Sequence, residues 1–317
     1  MKNIFLLALF FAIFGINKIN AQKMKRMIMG SDTFYIMEPS EGDKLYQKGD
    51  IKGAVAAYKK QLQKNPQDSL LLAHNFACAL TKNGEQEEAF KYLYVDLRHD
   101  STPFVFTDPD LLPLRRNKAW PEFAQLLKAA VKAKYPLITD FPLAVRLWEM
   151  SARDQAFYYE IGIAEKKTGM NSPVVLALWE AKAELNERNM HELDSIILVK
   201  GWPKNSAVGR LAANAAFLII HHSTLDLQQK YLPTIKALCE EHEASWLSYA
   251  LMYDRIQVSQ DKPQLYGSQV RYNVATKKSE LFPIEDEKNV DKRRTEMGLG
   301  PLADYVSQWG IRYVPAQ

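Results

Sequence analysis

The chain has 317 residues, 47% of them hydrophobic and 25% charged, with 41 Lys+Arg against 37 Asp+Glu and two cysteines. That apolar content excludes a disordered or fibrous chain, and at roughly 100–200 residues per domain the length predicts two domains. Two cysteines exclude a disulfide-rich scaffold, and they cannot furnish an all-cysteine zinc site.

Residues 1–21, MKNIFLLALFFAIFGINKINA, place Lys2 ahead of an apolar run from Ile4 to Ile16, followed by a short polar stretch ending at Ala21. This is the order of a secretory signal peptide. The run of 13 residues falls short of the roughly 20 that a spanning helix needs, so no transmembrane segment is expected after cleavage. Cleavage after Ala21 removes Lys2 and Lys18 and changes the net charge from +4 to 39 − 37 = +2. A near-neutral surface gives no electrostatic case for nucleic acid or anionic membranes. The expected location is exported, periplasmic or secreted.

Between about residues 35 and 135 two stretches align, EGDKLYQKGDIKGAVAAYKKQLQKNPQDS (41–69) and HNFACALTKNGEQEEAFKYLYVDL (74–97). Gly49 and Gly84 are 35 residues apart, as are Ala54 and Ala89. Glycine suits the left-handed turn that ends the first helix of a hairpin, and a small alanine lets paired helices approach. Pro66 stops the second helix. This pattern resembles the tetratricopeptide repeat family, whose unit is a helix pair of about 34 residues. The second stretch departs from it, with Leu93 at the aromatic position and no proline after it. A third, degenerate unit is expected in 106–135, with Asp108–Asp110 as a turn or cap and Trp120–Ala133 as its helix. The resemblance implies a module that holds a protein or peptide partner, although plain helical hairpins without a ligand fit the residues equally.

Tyr135-Pro136 and Phe141-Pro142 mark the expected seam. Beyond it, over 140–317, helical spacing predicts helices at Ala144–Lys167, Pro173–Leu185, Ser206–His221, Leu225–Glu240 and Glu243–Val258. Residues 270–275 and 279–284 alternate around a short polar link and predict one small β-hairpin. Two helices, Val290–Met297 and Pro301–Trp309, close the chain. The expected fold class is mainly α.

The second segment carries Asp154-Gln155, Gly201-Trp202-Pro203, His221-His222, Tyr253-Asp254-Arg255, Gln264 to Gln269 (QLYGSQ), Pro283 to Asp286 and Val290 to Arg294 (VDKRR), in that order. The ordered set, over about residues 140–308, resembles the bacterial domain of unknown function numbered 6624. The resemblance implies that His222, Gln228, Asp254, Arg255, Gln264, Tyr266, Gly267 and Gln269 occupy family positions. Tyr158 stands where the family usually has an arginine, and Thr224 where it usually has an acid. The family brings architecture without an established activity.

Read for chemistry, His222 is a candidate general base, oriented by Asp254 and served by Gln269, with Arg255, Gln264, Tyr266, Gly267 and Gln228 as candidate binding residues. Against this stands a structural role for the same polar groups. Adjacent His221 and His222 diverge on a helix, so no metal site is expected there. G-x-S-x-G, H-E-x-x-H, Walker A and G-x-G-x-x-G are all absent, and no cofactor is expected. Cys78 and Cys239, both in helical apolar contexts, either pair or pack as separate thiols, the separate packing being the reading favoured. Two functions remain open. One is a non-catalytic protein or peptide interaction module at the cell envelope. The other is an enzyme, a hydrolase for example, built around His222, Asp254, Arg255, Gln264 and Gln269. Oligomeric state is not legible in the sequence.

Overall fold

The structure is a computed structural model that describes the backbone of residues 24–29 and 32–37, and residues 39–99, 101–273, 276 and 278–314. The expected signal segment, 1–21, lies outside these residues. A two-stranded sheet of β1 (Met24–Met29) and β2 (Asp32–Met37), anticipated by no sequence pattern, precedes the helices. The described chain is otherwise mainly α-helical.

The first two helical hairpins are α1 (Glu41–Gln47) with α2 (Ile51–Lys64), and α3 (Ser69–Lys82) with α4 (Gln86–His99). Ser40 opens α1 with a capping box: its Oγ accepts from Asp43 N, and Asp43 Oδ2 accepts from Ser40 N. The two turns use the expected glycines, with φ of 79° at Gly49 and 86° at Gly84, where any side chain would be strained. Ala54 and Ala89 are fully buried, as close helix approach requires. Tyr58 and Phe76 pack with ring centroids 5.2 Å apart, and Phe76 meets Tyr92 at 4.5 Å.

Next come α5 (Phe104–Thr107), a 3₁₀ segment (Pro109–Arg116) and α6 (Trp120–Lys134). Asp108 caps the 3₁₀ segment by accepting from Asp110 N at 2.8 Å. The helix expected over Ala144–Lys167 is two, α7 (Phe141–Gln155) and α8 (Tyr158–Thr168). Phe157 between them is left-handed, with φ of 70°. The buried Lys182 Nζ donates to the Asp154 carbonyl, which is thereby held at the end of α7. Periodicity alone gives no sign of such a break, because both halves keep helical spacing.

Then follow α9 (Pro173–Lys200), α10 (Asn205–Val208), α11 (Arg210–His221), α12 (Leu225–Glu240) and α13 (Trp246–Ser259). Helix α9 runs 15 residues past the expected end at Leu185. The β-hairpin is β3 (Val270–Asn273) and β4 (Lys278–Leu281), antiparallel, with Val270 opposite Leu281 and Asn273 opposite Lys278. The chain closes with α14 (Val290–Glu296) and α15 (Leu302–Ser307). Among the described residues no helix is long and apolar enough to cross a membrane.

From Tyr35 onward, packing divides the chain into two units, residues 35–219 and 220–317. The first has an aromatic core in which Trp148 of α7 stacks on Phe106 (6.3 Å, 10° between planes) and meets Phe141 edge-on at 5.9 Å. Phe106 also meets Trp120 of α6. The expected seam at 136–142 is thus a turn in the chain within one packed core. The second unit buries Val290, Leu302 and Val306 under Leu281, Ile284 and Tyr305. Cys78 and Cys239 are both buried free thiols.

Trp148→Ala removes the centre of the first core and is expected to cost about 3–5 kcal/mol. Urea denaturation of the variant, followed by near-UV circular dichroism, measures it.

Candidate functional site

Asp254 lies on α13 and is fully buried. An ionised carboxylate there is costly unless donors surround it, and the loop after α13 supplies them from its backbone. Asp254 Oδ1 accepts from the N–H of Leu265 (2.7 Å) and Tyr266 (3.0 Å), and Oδ2 accepts from Ser268 N (2.8 Å). Burial raises its pKa above the ordinary carboxylate value, and the N–H bonds oppose that rise.

The glutamine at the start of the loop binds the backbone at the loop's end and just past β4, and the glutamine at its end reaches back to α13. Gln264 Oε1 accepts from Gln269 N, and its Nε2 donates to the carbonyls of Gln269 and Phe282. Gln269 Nε2 donates to Leu251 O and Ser268 Oγ. Gly267 between them has φ of 70°, and a Cβ on it would stand 2.7 Å from Leu302, so both conformation and space demand glycine. The turn then enters β3 at Val270, as the sequence suggested.

From the opposite side two arginines hold the loop's carbonyls. Arg293 Nε donates to Leu265 O at 3.0 Å, and Arg294 Nη1 to Tyr266 O at 2.7 Å. Arg294 is buried, gives its Nε to Gly300 O, and lies over the Tyr305 ring at 4.9 Å. The same two residues therefore have their amides taken by a carboxylate and their carbonyls by guanidinium groups.

The histidine pair sits elsewhere in this unit. His221, the last residue of α11, is fully buried, with Nε2 3.4 Å from Arg255 Nη1. His222 is half-buried, its ring 5.6 Å from that of His221. The Ser223-Thr224 break falls where expected, and Ser223 Oγ donates to Ile220 O. Gln228 of α12 donates from Nε2 to the carbonyls of His221 and Ser223, both at 3.0 Å, and so caps the end of α11. Burial, then the charge of Arg255 and His222, pushes the His221 pKa well below its usual value. Asp254, Gln264, Tyr266, Gly267 and Gln269 thus share the loop, while His222, Gln228 and Arg255 gather at the end of α11.

The family of unknown function (DUF6624) matches residues 142–313. The chain belongs to that family. No curated protein and no solved structure matches it. The match takes in the DQ pair, the glutamine-flanked loop and the paired arginines, and leaves the helical hairpins before it outside.

Sequence reasoning missed three polar features. His221, not His222, is the buried imidazole against Arg255, because the helix turns the second of the pair outward. Lys182 lies buried over the Tyr158 ring at 3.9 Å, and desolvation lowers its pKa to about 8. A lysine in the middle of a helix gives no sequence signal of burial. The third is a cluster in the first unit, where His74 Nε2 lies 2.9 Å from Asp108 Oδ2 and its Nδ1 3.2 Å from Asp96 Oδ2. Cys78 Sγ also reaches Asp108 Oδ2, at 3.4 Å. Burial opposes a charge on His74, yet Cys78, Asp108 and Asp96 raise its pKa well above the usual value. Burial and Asp108 push the Cys78 thiol up. Next to this group, Tyr46 donates to Asp110, which also pairs with Lys82 at 2.9 Å.

Asp254→Asn turns one acceptor oxygen into a donor facing backbone N–H groups. It is expected to cost about 2–3 kcal/mol, read as a lower urea midpoint at unchanged slope. The histidine predicts a pH dependence. Its folded pKa is depressed, so the unfolded chain binds the extra proton first, and stability falls as pH drops below about 6.5. The facing groups are Arg255 from α13 and His222 on its own segment. Urea midpoints between pH 5.5 and 8 should slope less in His221→Gln than in wild type.

Proposed function

We propose that the protein is an exported interaction module that binds a protein or peptide partner at the bacterial cell envelope. One observation carries this reading. Both oxygens of Asp254 and both polar atoms of Gln264 are engaged by the chain's own backbone, and both residues are fully buried. Groups so committed, and wholly out of solvent, hold a loop in shape rather than face a substrate. The enzyme reading needs them together with His222, Arg255 and Gln269 around one reacting atom. Gln228, assigned there to binding, instead caps α11.

The signal-peptide pattern of residues 1–21 supports export. Two surfaces support partner binding. The hairpins α1–α4 offer stacked helix faces of the kind that hold extended segments. Helix α9 ends in Leu198 and Val199, 85% and 80% exposed, beside the Lys200–Asp140 ion pair. Adjacent aliphatic side chains with a polar rim suit an apolar anchor on a protein partner.

Photocrosslinking residues placed at Lys52 and at Leu198 in the intact cell test the proposal. A discrete crosslinked species from either position, unchanged by His222→Ala, is expected. Turnover of a screened substrate that disappears in folded His222→Ala would overturn it in favour of the enzyme.

A further inference from the structure

Three side chains of the first unit converge as metal ligands do. His74 and Cys78 are four residues apart on α3 and so share one helix face. Asp108 reaches them from the start of the 3₁₀ segment, 30 residues further on. Its Oδ1 is occupied by Asp110 N, which turns Oδ2 toward His74 Nε2 and Cys78 Sγ. One ligand atom from each of the three lies within 4.8 Å of the others.

The two distances to Asp108 are close to those of tetrahedral zinc. With Zn–N and Zn–O of about 2.0 Å and Zn–S of about 2.3 Å, ligand atoms in a tetrahedron stand roughly 3.3–3.5 Å apart. The observed 2.9 Å (N to O) and 3.4 Å (S to O) need shifts of a few tenths of an ångström. The supporting group is also in place. Asp96 Oδ2 sits 3.2 Å from His74 Nδ1, where it accepts that N–H and directs Nε2 at the metal. A carboxylate behind a ligating histidine orients the ring and raises its basicity.

We propose that His74 Nε2, Cys78 Sγ and Asp108 Oδ2 bind one zinc ion, with Asp96 as the positioning residue behind His74. Three protein ligands leave a fourth position for water, the arrangement of a zinc that can activate a bound molecule. Binding expels the Cys78 thiol proton and the proton on His74 Nε2. One divalent ion thus replaces two protons, and the net charge of the buried cluster is unchanged. The side chains of His74 and Asp108 are 24% and 22% exposed, which gives the ion a path from solvent. The site lies outside the family-matched residues and does not depend on partner binding.

The test uses the full chain without an affinity tag, stripped with a chelator and titrated with zinc alone, then with cobalt(II) alone. One zinc per chain is expected, and the cobalt form should show a thiolate-to-cobalt charge-transfer band. Asp96→Asn replaces no ligand and should weaken zinc binding by about 10–100-fold while the fold, read by circular dichroism, persists. Cys78→Ser should abolish the band. A wild-type chain that binds no zinc overturns the proposal, as does stoichiometric binding that keeps its affinity in both Asp96→Asn and Cys78→Ser. If Cys78→Ser fails to fold, the cobalt band in wild type and the Asp96→Asn affinity decide alone.

Discussion

The second unit depends on one buried carboxylate, Asp254. A carboxylate with no solvent contact is tolerable only where the fold brings it several donors. Here the donors are backbone N–H groups of a loop that has no regular structure of its own. The loop needs Asp254 to satisfy its amides, and Asp254 needs the loop to be ionised at all. Each is stable only in the presence of the other, so the end of α13, the loop and the hairpin it feeds form as one piece. Arg293 and Arg294 complete the arrangement on the carbonyl side and draw α14 against the same loop.

This mutual satisfaction accounts for why polar residues that look catalytic in a linear reading cluster so tightly. A sequence shows that Asp, Arg, Gln and Tyr are present and in which order. It does not show whether their polar atoms point at each other's backbone or into a cleft. In this chain the first holds for Asp254, Gln264 and Gln228. The proposed zinc group is the converse case. His74, Cys78 and Asp108 sit in a helix and a turn whose sequence carries no metal-binding motif, and only the fold brings them within ligand distance.

Legibility followed the range of the interaction involved. Gly49 and Gly84 were readable because a left-handed turn is a local demand on one residue. Helix α12 and the hairpin at 270–281 were readable because period and punctuation agree there. The break at Phe157 was not, since it is associated with Lys182, 25 residues downstream, holding the Asp154 carbonyl. The continuation of α9 to Lys200 was missed for a related reason. Its buried residues, Val175, Lys182, Asn189, Leu193 and Ile196, form a narrow stripe that includes a lysine and an asparagine. The DQ, QLYGSQ and VDKRR segments were recognisable as a set, while the roles of the side chains within them required knowing what each touches.

The stacking of Trp148 on Phe106 bears on how such a chain could have been assembled. The family-matched segment opens with α7, but the largest side chain that α7 buries is covered by residues that precede the match. Recombination at that point would transplant a helix with its indole uncovered. A new N-terminal neighbour would have to present a flat aromatic surface in the same place. In this chain the matched segment is complete only with α5 beside it, so a cut at the edge of the match would divide a core rather than a linker.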